Sequence, residues 1–190
     1  MDTKTSSTAD ARFAPLPDVV ACHPFFSGMS EPHLHILAEC AGRSEFDAGQ
    51  VMFRRGESAN LFYLINDGEV SVELQTPGQG TIRIQTVGAG ESVGWSWLFP
   101  PYEWRFDARA VKPTRVIHFY GIWLRELCDE DAEFGYALMS RTAQVVTARL
   151  QAAREHLVAL SRLALESQCQ TLRLKGKDLG KRIRQPTKKL

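Results

Sequence analysis

Between Ser44 and Tyr120 apolar residues come in short runs, and glycines cut the runs at regular intervals. Val51 and Phe53 precede Gly56. Leu61 to Ile65 runs into Asn66-Asp67-Gly68, which reads as a tight hairpin. Beyond it Val70, Val72 and Leu74 alternate with Ser71, Glu73 and Gln75, predicting a strand with one buried and one wet face. Pro77-Gly78-Gln79-Gly80 turns the chain before Ile82 and Ile84, whose neighbours Arg83 and Gln85 point the other way. A further glycine turn spans 88–94, and the last strands are expected near 105–111 and 115–120. Short strands separated by glycine turns predict an antiparallel sandwich or roll. A parallel α/β fold needs helices between its strands, and these spacings leave no room for them.

Helical periodicity flanks this region. Residues 17–41 read as helical, with Ser30 as N-cap, Leu34, Leu37 and Ala38 on the apolar face, and Gly42 as the stop. From Ile122 the pattern is helical again. Met139, Ala143, Val146, Leu150, Ala153, Leu157, Leu160 and Ala164 follow a 4-3 spacing for about four heptads. A stripe this narrow, flanked by Arg141, Arg149, Arg154 and Glu155, predicts a helix partner and hence a homodimer. A helix lying on its own domain is the alternative. The expected organisation is a disordered leader over 1–16, a β-roll domain over 17–128, a coiled-coil-type helix over 129–170 and a flexible tail over 171–190. That tail is basic, and Gly176, Gly180 and Pro186 argue against a stable helix in it.

Composition narrows the function classes. The 190 residues are 44% hydrophobic and 24% charged, with a net charge of +1, so no global field favours nucleic acid. Cys22, Cys40, Cys128 and Cys169 form no CxxC pair, and isolated thiols fit a reducing compartment as buried hydrophobes. The polar N-terminus does not resemble a signal peptide, and no run approaches the roughly 20 apolar residues of a membrane span. A cytoplasmic protein without membrane contact is expected. His33 and His35 read as surface residues, and no catalytic constellation, metal-ligand set or cofactor motif is present in the sequence. The chain is therefore expected not to be an enzyme.

Three segments taken together carry a family resemblance: His23-Pro24-Phe25-Phe26-Ser27-Gly28-Met29-Ser30, the run Asp47 to Glu57, and the run Phe62 to Val70. The chain resembles the cyclic-nucleotide-binding domains of the catabolite-activator family over residues 23–165. The resemblance implies a fold that is mainly β with α: a double-stranded β-helix, or jelly-roll-like β-roll, with N-terminal helices and a long C-terminal dimerisation helix. It also implies a phosphate cassette, in which backbone N–H groups, a Glu after a Gly and a later Arg hold the cyclic nucleotide. Here the stretch reads Gly94-Trp95-Ser96-Trp97-Leu98-Phe99-Pro100-Pro101-Tyr102-Glu103-Trp104-Arg105. Trp95 stands at the Glu position and Trp104 at the Arg position, although a shift of one residue restores Arg105 to it. Ala153 and Arg154 stand where relatives place the residues that read the base.

The cassette admits three readings. Trp95, Trp97 and Trp104 fill the pocket; or they line an altered pocket for a flat apolar or cationic ligand, with Arg105 for an anionic group; or a modified cassette retains cyclic-nucleotide binding. The residues after Leu165 are too few for the family's helix-turn-helix domain, so the expectation is a stand-alone form. The leading functional reading is a dimeric regulatory or sensor module for a small molecule or a protein partner. The alternative is a cAMP- or cGMP-binding protein, or a transcription regulator reaching DNA through a partner or its basic tail. DNA binding by the chain alone is not expected.

Overall fold

The computed structural model describes residues 14–78 and 80–183. They fall into two units, one ending at Ala143 and the other starting at Gln144. In the first unit, helices α1 (Leu16–Cys22) and α2 (Glu31–Cys40) flank a 3-10 turn at Pro24–Phe26. Eight strands follow: β1 (Gly42–Phe46), β2 (Val51–Phe53), β3 (Leu61–Asp67), β4 (Glu69–Thr76), β5 (Gly80–Gly88), β6 (Ser92–Val93), β7 (Asp107–Ala110) and β8 (Thr114–Tyr120). A second 3-10 helix, Trp95–Leu98, sits between β6 and β7, and α3 (Gly121–Glu130) and α4 (Ala132–Ile183) complete the order.

Two antiparallel four-stranded sheets, ordered β1-β8-β3-β6 and β2-β7-β4-β5, form the jelly-roll-like β-roll. Phe53, Tyr63, Ile65, Val70, Val87 and Trp104 belong to the core cluster between them. On the other face of the first sheet, the Phe25 and Phe26 rings meet Phe62 and Phe119 edge-on at 5.1 and 5.7 Å. The alternation of Phe62 and Leu64 with Tyr63 and Ile65 thus buries both faces of β3.

Three local expectations are corrected, and Ser30 takes its expected place. Asn66-Asp67-Gly68 is not a hairpin: β3 and β4 lie in different sheets, and Gly68 (φ 101°) turns the corner between them. A Cβ there would come within 2.6 Å of the Pro113 carbonyl oxygen, so only glycine fits. The face of β4 expected to be wet is closed at Ser71 and Glu73 and open only at Gln75. Ser71 and Glu73 are buried, Ser71 Oγ donates to Glu73 Oε1 at 2.6 Å, and Arg109 pairs with Glu73 at 3.3 Å. Gly42 opens β1 instead of ending a helix, and the His118 ring occupies the space its side chain would take. Ser30 is at the N-cap of α2 but makes no side-chain cap bond.

Helix α4 continues through Gly176 and Gly180 to Ile183, past the expected boundary at 170. Each interior glycine costs about 1 kcal/mol relative to alanine, which weakens a helix without forbidding it. Residues 184–190, with Pro186, the end of the expected tail, lie outside the described residues, as do 1–13 of the expected leader. Among the described residues no helix is long and apolar enough to cross a membrane.

Candidate functional site

The cassette begins where β6 ends. Gly94 adopts φ 85°, a left-handed conformation open to glycine, and this turn starts the 3-10 helix Trp95–Leu98. Directly over Gly94 lies the indole of Trp104. A Cβ on Gly94 would approach the indole Cζ3 to 2.7 Å. The indole stacks on Phe53, with centroids 3.9 Å apart and planes 17° apart, and the same Cβ would stand 3.6 Å from Phe53 Cε1, so Gly94 meets the edge of the stack. Phe53 in turn stacks on Tyr63 at 6.0 Å, so a column of three rings runs into the core of the roll. Burial in this column raises the Tyr63 phenol to a pKa of about 12, because the ionised form is poorly solvated there.

The backbone fixes which residue faces inward. Trp104 donates its N–H to the Glu57 carbonyl at 2.9 Å and accepts from Gly56 N–H at 2.9 Å. Its side chain is 5% exposed, whereas the following Arg105 is exposed. Trp104 therefore packs inward, while Arg105, at the bend that precedes β7, stands exposed.

Trp97 has a different neighbourhood from Trp104. It is fully buried, tilted against Phe62 at 5.6 Å, and packed where a Cβ on Gly121 of α3 would stand, 2.7 Å from Trp97 Cβ. Its indole N–H has no hydrogen-bond partner. Trp95 and Ser96 are half-buried. Gly94, Trp95, Ser96 and Trp97 share one turn, Trp104 and Arg105 come from the segment before β7, and the three indoles do not share one pocket.

Two groups that sequence reasoning missed complete the site. Phe53, in the second resembling segment, supplies the face on which Trp104 rests. Arg125 of α3 donates to the Trp97 carbonyl and lays its guanidinium over the Tyr102 ring, 4.1 Å from the centroid. No spacing signal marks Arg125, because its partners are contributed by another element.

Ala153 and Arg154, expected to face the pocket, lie exposed on the part of α4 that belongs to the second unit. Arg154 lines a shallow groove of about 370 Å³ with Gln151, Glu155, Val158, Ala159 and Arg162. The seam residues Met139, Leu150, Leu157 and Leu160 are 43–65% exposed in the single chain. Ala143 and Ala153 are exposed and Val146 is half-buried.

Of the two histidines expected at the surface, His35 is exposed but His33 is not. His33 is buried, with Nε2 3.0 Å from Asp131 Oδ2, whose Oδ1 caps α4 by accepting from Glu133 and Phe134 N–H. Those backbone bonds and His33 hold the Asp131 carboxyl below its usual range. His23 accepts from Phe25 N–H at Nδ1 and reaches the Ile65 carbonyl through Nε2, and burial lowers its pKa. Cys22 is exposed, and Cys40 and Cys128 are only half-buried, so these thiols are not the core hydrophobes expected; the Cys169 side chain lies outside the described residues. Among the described residues no three His, Cys, Asp or Glu side chains converge to hold a metal ion.

With the geometry in place, comparison with known proteins is direct. The cyclic nucleotide-binding domain family matches residues 43–131. A solved cyclic nucleotide-binding protein of Geobacter metallireducens is 30% identical, with a TM-score of 0.64, covering 70% of this chain and 97% of that one. The catabolite activator protein of Thermus thermophilus shares the fold at 22% identity, with a TM-score of 0.59 over 73% of this chain and 63% of its own. A potassium channel protein of Rhodopseudomonas palustris is 31% identical over 109 residues, which are 57% of this chain but 26% of that protein. The chain thus spans about a quarter of that curated relative. The 30% identity to the Geobacter protein, 97% of which this chain covers, together with the match over residues 43–131, places this chain in the cyclic nucleotide-binding domain family.

Proposed function

We propose that the chain is a non-enzymatic regulatory module of the cyclic nucleotide-binding type whose ligand slot is occupied by its own Trp104. One observation carries the reading: the indole, stacked on Phe53, has its Cζ3–Cη2 edge against Gly94, the turn that offers N–H groups to a cyclic phosphate in the family. The inward position that an arginine needs for a phosphate is held by a neutral ring, and Arg105 faces away. Filling the slot with an indole keeps the apolar burial of a bound base and needs no ligand to do so. The half-buried Trp95 at the ribose-binding position removes the carboxylate that accepts from a 2′-hydroxyl.

The module works as a dimer through α4. Met139, Leu150, Leu157 and Leu160 expose an apolar stripe at coiled-coil spacing, and pairing with a second copy removes that stripe from water. Regulation then acts on a protein partner of the dimer in the cytoplasm, with the roll as its scaffold. Calorimetric titration with cAMP and with cGMP tests the ligand half of this reading. Absence of saturable heat supports it, and a stoichiometric isotherm overturns it.

A further inference from the structure

Each sheet has two edge strands, β1 and β6 in the first and β2 and β5 in the second. β1, β6 and β2 are 5, 2 and 3 residues long, so they leave few backbone groups unpaired. β5 is different: it has 9 residues and pairs only with β4. Its end lies in the roll, where Val87 is buried, but residues 80–84 are exposed on both faces. Neither proline nor lysine, the residues that ordinarily blunt such an edge, occurs in β5. A bulge at Ile84 is its one interruption, and Thr81, Ile82 and Arg83 keep regular pairing with Gln75, Leu74 and Glu73.

The side chains restrict what can pair there. Ile82 and Ile84 are 39% and 46% exposed, so a strand laid on this edge removes apolar surface from water where it sets apolar residues beside them. Between them Arg83 stands opposite Glu73, but that carboxylate already accepts from Ser71 Oγ at 2.6 Å and pairs with Arg109 at 3.3 Å. Among the described residues Arg83 has no ion pair of its own. A carboxylate on the open side therefore complements it. A second copy of β5 does not: the antiparallel register that sets Ile82 beside Ile84 brings the two Arg83 guanidiniums opposite each other, and like charges there repel.

We propose that residues 80–84 of β5 are a docking edge for an extended segment of a partner protein, which carries a carboxylate between two apolar residues and adds a strand to this sheet. The inference rests on the reading of the chain as a module that acts on a protein partner, and it names the surface and the chemistry of recognition. Backbone hydrogen bonds along the edge supply affinity, while Arg83 and the two isoleucines select the sequence.

Amide shifts in nuclear magnetic resonance of the full chain test the proposal. The probe is an acetylated and amidated Thr-Val-Glu-Val-Thr peptide, and its control has lysine in place of the glutamate. The acidic peptide is expected to shift the amides of 80–86 saturably, with a Kd on the order of 1 mM. The lysine peptide is expected to bind about fivefold more weakly, as a repulsive cross-strand pair replaces an attractive one. Arg83→Glu is expected to exchange the two preferences, and its amide spectrum outside β5 reports that the roll is intact. Absence of saturable shifts overturns the proposal, as do shifts centred outside β4 and β5 or an Arg83→Glu chain that keeps the wild-type preference. Shifts in 80–86 that grow with protein concentration alone also overturn it, because they assign the edge to a second copy. Failure of the Trp104 reading is visible separately, as nucleotide binding by the wild-type chain with β5 unaffected.

Discussion

The Trp104 indole and the Phe53 ring lie face to face at 3.9 Å, with Gly94 against the edge of the indole. Trp104→Ala leaves a cavity lined by rings, and the expected destabilisation is about 3–5 kcal/mol in chemical denaturation. An apolar cavity of that shape binds a flat apolar guest, so free indole is expected to raise the melting temperature of the variant and not of the wild type. Equal indole responses in both proteins contradict the assignment.

Gly94 and Gly56 allow a controlled comparison. Both have positive φ, 85° and 84°, but only Gly94 faces the indole, whereas Gly56 has open space around it. Gly56→Ala pays the left-handed backbone cost of about 1–2 kcal/mol. Gly94→Ala is expected to cost clearly more, and the excess disappears when Trp104 is alanine. Denaturation midpoints of the two single variants and the Gly94/Trp104 double variant decide the point.

Stability is expected to fall on mild acidification through His23. Burial depresses its folded pKa below the unfolded 6.5, so the unfolded chain takes up a proton before the folded one. The contribution is full above pH 6.5 and is lost as pH falls through the folded value. His118, also lowered by burial, acts with the same sign. Asp131, a carboxyl held below its ordinary 3.8, contributes its loss only in the more acid range. Urea denaturation at pH 7.5 and 5.0 checks the sign, and His23→Asn is expected to flatten the dependence between them.

Leu157 is 65% exposed on α4, at the centre of the apolar stripe. In the proposed dimer it faces its counterpart, so Leu157→Glu is expected to give a monomer in sedimentation velocity with unchanged β-roll circular dichroism. A wild-type chain that sediments as a monomer at tens of micromolar contradicts the dimer reading.

Much of this fold was legible because its signals are local. Glycine turns and period-two strands mark the roll, and the 4-3 spacing marks α4. What escaped depends on contacts distant in sequence. Asn66-Asp67-Gly68 looks like a hairpin until Pro113 and Thr114, arriving from elsewhere, make Gly68 a corner between sheets. Ser71 and Glu73 read as wet because Arg109, which closes over them, lies 36 residues beyond Glu73. At the site, the sequence located the cassette and its three indoles. Only the register of Trp104 against Gly56 and Glu57 determines that this ring, and not Arg105, points inward. Arg125 was invisible because its role depends on Trp97 and Tyr102, neither of which is its neighbour along the helix.

The most direct test of the central claim is a titration of intrinsic tryptophan fluorescence with cAMP and cGMP. On the proposed reading Trp104 occupies the slot, so an entering nucleotide must displace its indole and change its emission. The wild-type chain is expected to show no saturable change with either nucleotide up to about 1 mM. A saturable change at micromolar concentration, lost in Gly94→Ala, contradicts the account: the slot is then open to a cyclic nucleotide and Trp104 is not its permanent occupant.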